Sequence, residues 1–566
     1  MKILNRTERL NYLKENPEIS VLIIGAGING IGTFRDLGLQ GLDVVLVDRG
    51  DYCSGASAAS SHMVHGGIRY LENGEFTLVR EAVKERNRLI ENAPHLVNPL
   101  PTTFPIFKLF SGLLNAPLKF LGLMEKPAER GAFVIKIGMV VYDFFTRAQK
   151  TVPKHIFRNR EKSLENFPDL NPKIIFTGTY YDGSMPSPER IAVELLKDTV
   201  KENSQAIPLN YVKVITAEQG KVIVQDEISG EKIALQPEIV VNSAGPWIDL
   251  VNDDLGEKSH FISGTKGSHV IMDHPQLRKA LGENELFFEN KDGRIVLIFP
   301  IEDKVMIGTS DLRIEHPDDV VITDEEIDYF FEMVARVFPK ISLDRSQIVY
   351  TFSGVRPLQY TAGGRTGQIS RNHKVGISEP TARREFPILS LIGGKWTSFR
   401  AFSEQATDKI LSRLGVERRI STADLKIGGS NGLPIDPEAR RALIREVSAE
   451  SNIDKDRFEE LLQFYGMQAI KLLHDYPGKI SETLSACPEI SAGEIEYFLE
   501  QEDVVHLDDL ILRRTMLGKL GRISLAGLNQ IAEVAAKNQN WTDDKRIEEV
   551  NRTKEIFEKR HIVNLK

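Results

Sequence analysis

The sequence predicts a mixed α/β protein, α+β overall, with a parallel strand–turn–helix–strand unit near the N-terminus, short strands through the middle and a C-terminal helical region. Three patterns predict it. Near the N-terminus the apolar run Val21-Leu22-Ile23-Ile24 meets a glycine-rich turn and then an amphipathic stretch. The middle of the chain alternates short apolar runs with glycine-rich and polar turns, as sheet-forming segments do. Beyond residue 436 the spacing becomes helical, with few β-branched runs.

Residues 21–24 read as a buried parallel strand, because a continuous apolar run bounded by glycine leaves no polar face. Residues 28–40 read as a helix and Val44-Val45-Leu46-Val47 as the next strand, completing a strand–turn–helix–strand unit. A charged helix is expected at 75–92, and residues 100–145 begin proline-rich and become apolar with scattered lysines. A helix follows at 189–201, then a β-meander over 208–245 that ends in the buried run Ile239-Val240-Val241. Short strands fill 263–310 and a helix occupies 323–338. Glycine-rich turns and apolar runs cover 350–400, ending in Leu389-Ser390-Leu391-Ile392-Gly393-Gly394, before a helix at 398–414. The stretch Ile427-Gly428-Gly429-Ser430-Asn431-Gly432 reads as a linker, and 436–566 as almost entirely helical.

A chain of 566 residues is too long for one core, so two or three domains are expected. Its 41% hydrophobic and 27% charged residues are ordinary for a globular protein. A net charge of −8 argues against nucleic acid as a partner. It leaves an anionic small molecule open, since screening over ~8 Å lets a local group of Arg and Lys govern its own pocket. Cys53 and Cys487 form no Cys-x-x-Cys pair, so no metal site and no disulfide framework are expected. That fits a reducing, cytoplasmic setting. Residues 1–20 lack an apolar core, so no signal peptide is expected, and no stretch reaches the ~20 apolar residues of a membrane span.

The turn Gly25-Ala26-Gly27-Ile28-Asn29-Gly30 carries the first functional reading. A G-x-G-x-x-G pattern alone is weak, but here it follows a strand and opens a helix. Gly25 permits the tight turn, Gly27 lets the backbone approach a pyrophosphate, and Gly30 lets helix and strand pack closely, as in a Rossmann-like domain. The free N–H groups of Ile28 and Asn29 at the helix start suit the phosphates. Asp48 ends the second strand, where a carboxylate takes hydrogen bonds from a ribose hydroxyl and disfavours a 2′-phosphate. These residues fit NAD or FAD. The small-residue run Ser54-Gly55-Ala56-Ser57-Ala58-Ala59-Ser60-Ser61 then lets the backbone lie against an extended ligand, with hydroxyls for phosphate and ribityl oxygens.

The stretch Ser60-Ser61-His62-Met63-Val64-His65-Gly66-Gly67-Ile68-Arg69-Tyr70-Leu71-Glu72 resembles the signature of FAD-dependent glycerol-3-phosphate dehydrogenases, in the D-amino-acid-oxidase-like flavoprotein group. The likeness continues at Val241-Asn242-Ser243-Ala244-Gly245-Pro246-Trp247, Lys266-Gly267-Ser268-His269, Ser353-Gly354-Val355-Arg356-Pro357-Leu358, Ser370-Arg371 and Gly393-Gly394-Lys395-Trp396-Thr397. It ends at Leu512-Arg513-Arg514-Thr515-Met516-Leu517-Gly518. The chain departs from the pattern at His62, where many members carry lysine, and in extra length around 110–130.

The resemblance implies FAD as cofactor and oxidation of sn-glycerol 3-phosphate to dihydroxyacetone phosphate, by hydride transfer from C2 to flavin N5. It implies an FAD-binding domain from 17–100, 180–262 and 353–415, an antiparallel-sheet substrate or cap domain from 101–179 and 263–352, and a helical domain at 430–566. By the same resemblance Ser60, Ser61, His65, Gly66, Gly67, Val212, Ala244, Gly245, Gly394 and Lys395 join the turn and Asp48 in holding FAD. The catalytic candidates are His269, Arg371, Arg356 and Lys395. Histidine suits proton acceptance near pH 7, whereas an arginine can instead stabilise a forming alkoxide. Arg69, Tyr70, Arg356, Lys395 and Thr397 are the substrate-binding candidates, since arginine forks grip phosphate oxygens in pairs and lysine acts as a point charge.

Reduced flavin needs an electron acceptor. The dehydrogenase reading implies quinone, and therefore a peripheral position on the inner face of the cytoplasmic membrane. Residues 104–123, apolar with two lysines and no acid, resemble an interfacial segment. An oxidase passing electrons to oxygen and making peroxide is the alternative, followed by an amine or amino-acid oxidase on the same fold. A second copy of the chain is a further candidate partner.

Overall fold

The computed structural model describes residues 4–68, 75–109, 132–146, 151–289, 295–318, 320–360, 372–382 and 384–566. The strand Glu18–Ile24 lies inside a sheet, parallel to Val44–Val47 on one side and to the end of Lys232–Asn242 on the other. Val21, Leu22 and Ile23 are wholly buried, which explains their unbroken apolar run. Ile207–Leu209 and Ile388–Ile392 extend the parallel sheet outward, and Lys374–Ser378 closes one edge antiparallel. The helix Ile28–Leu39 covers this sheet, packed between Pro188–Glu202 and Phe399–Leu414.

A second, mostly antiparallel sheet is built from Asn98–Ile106, Phe176–Ser184, Ile262–Met272, Glu285–Glu289, Ile295–Ile301, Lys304–Gly308 and Ile348–Gln359. Its longest pairing joins Ile262–Met272 to Ile348–Gln359. The proline-rich segment is a strand along its full length, paired with Phe176–Ser184. Pro99, Pro101 and Pro105 share one parity, so their missing N–H groups all lie on one side of the strand. On that side a neighbour pairs only at Thr102 and Thr103.

The C-terminal region is helical, as its spacing predicts, apart from a small hairpin of Thr483–Leu484 and Cys487–Ser491. It shares one apolar core with the second sheet, where Phe458, Leu462, Ile495 and Phe557 meet Ile271, Phe299, Met306 and Tyr350. Several helices escape the sequence reading, among them Arg6–Glu15, started by an Asn5–Glu8 capping box, Ala132–Thr146, Arg160–Asn166, Ile248–Asp254, and Pro275–Leu281 within the expected run of strands. The expected linker at 427–432 is a packed joint instead. Ile427 N–H donates to Asn92 O at 2.9 Å, Met467 N–H donates to Gly429 O at 2.8 Å, and a Cβ on Gly429 would lie 2.0 Å from Tyr465 O. Glycine is there for close approach, not for flexibility.

Buried ion pairs fasten the C-terminal region to the first sheet. Arg514 donates to both oxygens of Asp51, at 2.7 and 2.9 Å, and Arg513 Nε donates to Asp51 Oδ2 at 2.6 Å. Asn210 donates to Asp51 Oδ1 at 3.0 Å. Arg190 forks onto Glu502 at 2.7 and 2.9 Å, and Lys519 bridges to Glu189 at 2.6 Å. The guanidiniums of Arg514 and Arg513 outweigh burial and hold the Asp51 carboxyl well below the usual carboxylate range. Arg190 does the same for Glu502, lowered to about 2.

Arg514→Met leaves Asp51 with Arg513 and Asn210 but without its forked partner, so it should cost about 1–3 kcal/mol in urea unfolding. The folded pKa values of Asp51 and Glu502 lie below their unfolded values near ~4. Their stabilisation is therefore full above roughly pH 4 and fades as pH falls towards their folded values. Arg514→Met should flatten the loss of stability between about pH 4 and pH 2; an unchanged acid limb in the variant would contradict this account.

Candidate active site

A cavity of about 2040 Å³ is lined by residues of both sheets and of the C-terminal region. It exceeds the ~300–1,000 Å³ of an ordinary small-ligand pocket, so it has room for an extended dinucleotide and a substrate. One end begins at the glycine turn. Gly25 has φ +102°, accessible to glycine at little cost, and donates its N–H to Val47 O at 2.8 Å. A Cβ on Gly30 would lie 1.9 Å from Gly25 O and 2.5 Å from Ser243 Oγ. The helix start is thus seated directly on the strand end. Gly27 is the N-cap of Ile28–Leu39 and has no side chain to cap it, so first-turn N–H groups face the cavity, one of them (Ile28) shared with Ser57 Oγ at 2.9 Å.

Asp48 stands on the cavity wall and accepts from Ala26 N–H at 2.6 Å and Gly50 N–H at 2.9 Å. Burial pushes its carboxyl up to about 6 against these two bonds. Each oxygen keeps acceptor capacity, as a ribose hydroxyl requires. Val212 N–H donates to Asp48 O at 2.7 Å, which brings that predicted contact to the same end. Asn29 joins the turn to the Gly393–Gly394 loop by donating to Gly393 O at 3.2 Å, and among the described residues its Oδ1 is buried with no partner. These features fit a bound FAD: an uncapped helix start, a carboxylate with acceptor capacity left over, and a buried acceptor without a donor.

Ser60, Ser61, His65, Gly67, Ala244, Gly245, Gly394 and Lys395 also line the cavity. Gly66 faces the other way. Its N–H donates to Asp182 Oδ1 at 2.9 Å and to Tyr142 OH at 3.1 Å, and a Cβ there would strike Tyr142. Thr397 lines the wall while its hydroxyl accepts from His65 N–H at 3.0 Å. Arg69, Tyr70 and Arg371 lie outside the described residues.

Sheet geometry assembles the chemical groups. His269 pairs with Phe352, Gly267 with Gly354 and Thr265 with Arg356 in the long antiparallel ladder. Cross-strand partners share a face, so His269, Phe352, Gly267, Gly354 and Arg356 all look into the cavity. Glycines open the space these side chains need. A Cβ on Gly267 would lie 2.2 Å from the Arg356 guanidinium, and one on Gly308 would lie 2.2 Å from the His269 ring. The alternate residues Lys266 and Ser268 point to the opposite face and bind Glu326, at 2.7 and 2.9 Å. Half of the Lys266–His269 motif is therefore scaffolding.

Arg356 donates to Thr309 Oγ1 at 2.7 Å, to Ser310 O at 3.1 Å and to Asp311 Oδ1 at 3.3 Å, and lines the cavity. His269 Nε2 meets Ser61 Oγ at 2.9 Å, its ring stacks on Phe352 with centroids 4.7 Å apart, and its Nδ1 is buried with no partner among the described residues. Burial, aided by the Arg356 charge, lowers His269 to about 3, so the ring is neutral at pH 7. Several contributors escape sequence reasoning. Phe352 could have been found from the alternation it shares with Gly354 and Arg356. Asp182 carries no local signal, and Trp396, whose Nε1 donates to Ser57 O at 2.9 Å, lies in a matched motif that does not single it out.

A dinucleotide turn, an acid at the second strand end and a shared cavity with a neutral histidine beside arginine define a dinucleotide-dependent redox protein. Residues 20–379 match the family model described as FAD dependent oxidoreductase, and residues 420–546 match the C-terminal domain of alpha-glycerophosphate oxidase. A glycerol-3-phosphate dehydrogenase of Synechocystis sp. is 32% identical, covering 96% of this chain and 97% of its own. The aerobic glycerol-3-phosphate dehydrogenase of Bacillus subtilis is 28% identical over 88% of this chain and 86% of its own. The chain belongs to the FAD-dependent oxidoreductase family, in its glycerol-3-phosphate dehydrogenase branch. The fold agrees with that of a Bacillus halodurans glycerol-3-phosphate dehydrogenase complexed with FAD, at TM-score 0.75 and 24% identity over 98% of this chain and 97% of that one. An L-alpha-glycerophosphate oxidase of Mycoplasma pneumoniae with FAD bound matches less fully, at TM-score 0.51 over 70% of this chain and 95% of its own.

Gly30→Ala tests the turn. The new methyl group cannot fit between Gly25 O and Ser243 without parting helix from strand. The variant should purify with roughly a tenth or less of the normal flavin, since both the pyrophosphate seat and the helix start move together. Full flavin absorbance per protein in the variant would refute that reading.

Proposed function

We propose that the protein oxidises sn-glycerol 3-phosphate to dihydroxyacetone phosphate with FAD and passes the electrons to a quinone. The observation that carries the reading is the placement of Arg356 and His269 on one face of one ladder, in the same cavity as the dinucleotide turn. Relatives named glycerol-3-phosphate dehydrogenase match along almost the whole chain, which supports the substrate.

The turn 25–30, Asp48, Ser61, Val212, Ala244 and Gly394 would hold FAD along the cavity. Bound there, FAD supplies the two-electron acceptor for the hydrogen on C2. Arg356, which also bonds Thr309, Ser310 and Asp311, would set its guanidinium charge against the substrate phosphate, and Lys395 would add a point charge. His269 takes the proton of the C2 hydroxyl as the C2–H bond breaks. It is suited to this because it is neutral and because Ser61 fixes its orientation through Nε2. Arg69, Tyr70, Thr397 and Arg371 complete the proposed set by resemblance.

The acceptor side rests on a separate surface. The helix Ala132–Thr146 buries Ala132, Ile135, Met139 and Tyr142 against Val79, Val83, Phe104 and Tyr180. Its other face exposes Phe133, Ile137, Val140 and Phe144, an apolar stripe at helical spacing. Such a stripe is costly in water and suited to the acyl boundary of a membrane, where quinone is dissolved. No helix among the described residues is long and apolar enough to cross a membrane, so contact would be peripheral. Of the expected interfacial segment 104–123, residues 110–123 lie outside the described residues.

Anaerobic glycerol 3-phosphate should bleach the flavin's visible absorbance, and a protein that stays yellow would end this reading. Arg356→Ala should weaken substrate binding by roughly 2–5 kcal/mol, seen in KM, because the phosphate loses its cationic partner. Quinone-analogue dye reduction should exceed peroxide production; the reverse would make the enzyme an oxidase. In liposome flotation, the wild type should rise with anionic vesicles and Ile137→Ser/Phe144→Ser should remain below. Equal flotation of both would remove the stripe from the membrane contact.

A further inference from the structure

The proposed mechanism uses no residue beyond the first two sheets and their loops, yet Lys519 of the C-terminal region reaches the cavity wall. Lys519 is 4% exposed. Its ammonium lies 2.6 Å from both oxygens of Glu189, itself buried in the first turn of Pro188–Glu202, and 3.5 Å from His62 Nε2. Position 62 is where the sequence departs from its resembling family by lacking lysine. In this structure a lysine ammonium from the C-terminal region lies beside the ring of that residue.

His62 occupies a backbone conformation that needs support. It is fully buried with φ +48°, a region that residues bearing a Cβ enter only when their surroundings fix them. Its carbonyl accepts from Met185 N–H at 3.0 Å, and its ring folds back towards Ala58 O at 3.4 Å. Two paths lead from this turn to His269. Ser61, the preceding residue, bonds His269 Nε2 at 2.9 Å. The ring of Phe352 stacks on both histidines, with centroids 5.6 Å from His62 and 4.7 Å from His269.

We propose that Lys519 is a positioning residue of the redox site: paired with Glu189, it fixes the buried His62 turn and thereby sets the His269 ring through Ser61. The site would then be incomplete without the C-terminal region. The proposal rests on the reading that His269 takes the substrate proton.

The test uses the full-length, flavin-loaded protein and two double variants. Lys519→Met/Glu189→Gln removes the ion pair without stranding a charge. Lys519→Met/His62→Lys returns an ammonium to Glu189 from residue 62. In the first, amides of residues 57–65 should exchange hydrogen roughly tenfold faster, as a locally released segment does. Its kcat should fall roughly ten- to hundredfold, the cost of a slightly misplaced group, with KM for glycerol 3-phosphate within about twofold. The second should recover most of the kcat and the slow exchange. An unchanged kcat in the first, or a loss of kcat without faster exchange of 57–65, would overturn the proposal. Should the first variant fail to fold, the second decides: near-normal kcat supports the proposal, and roughly a tenth or less overturns it. A wild type that glycerol 3-phosphate does not bleach refutes the substrate reading instead. The exchange rates of 57–65 then still report whether the ion pair fixes the turn.

Discussion

The carboxylate of Asp51, buried between Arg513 and Arg514, is the interaction on which the rest of the structure leans. It lies three residues after Asp48, in the loop that leaves the second strand of the dinucleotide unit. Arg514 is itself fully buried and also donates to the backbone oxygen of Glu502. Neither side of this contact is tolerable alone, because an unpaired buried charge costs several kcal/mol. The loop beside Asp48 therefore takes its shape only when the C-terminal region is docked. Tyr52 repeats the pattern next door, donating to Asp503 Oδ2 at 3.0 Å, and Arg9 reaches the same carboxylate from the N-terminal helix. The C-terminal region thus helps determine where the dinucleotide loop sits.

This dependence explains what could be read in advance. The strand 21–24, the turn 25–30, the strand 44–47 and Asp48 are local patterns, and each is found where its spacing puts it. The helices at 75–92, 189–201, 323–338 and 398–414 announce themselves by periodicity. The partner of Arg514 lies 463 residues away and the partner of Lys519 lies 330 away, and such distances leave no trace in any window of sequence. The helical tail was legible as helix and illegible as clamp for that reason. The glycines at 428–429 misled in a related way. They read as a flexible link because glycine favours both freedom and close packing, and only the neighbour at Tyr465 distinguishes the two.

The motif Lys266-Gly267-Ser268-His269 shows the same limit at short range. Read as a block, it says nothing of what Lys266 does beside the candidate His269. In a strand, successive side chains face opposite ways, so Lys266 goes to Glu326 and His269 to the cavity. The division serves the site. The Glu326 pairs hold one face of the ladder to the helix Asp324–Val337, and the other face carries His269, Phe352 and Arg356 at fixed separations. The period of two that hides the roles in a linear reading is what gives His269, Phe352 and Arg356 their common face.

Charge within this face has a direction as well as a sum. Arg356 and burial act together to keep His269 unprotonated. In the proposed reaction the arriving phosphate brings about −1.5 to −2 charges to the guanidinium. It cancels the cation that repels a proton from His269, and so raises the ring's proton affinity when the C2 hydroxyl is in place. A base poised near pH 7 in the empty site would spend part of its time protonated and unable to act. One that gains basicity only beside its substrate stays available at every encounter. The net charge of −8 is irrelevant to this arrangement, since the field that matters is set within a few ångströms by Arg356 and its occupant.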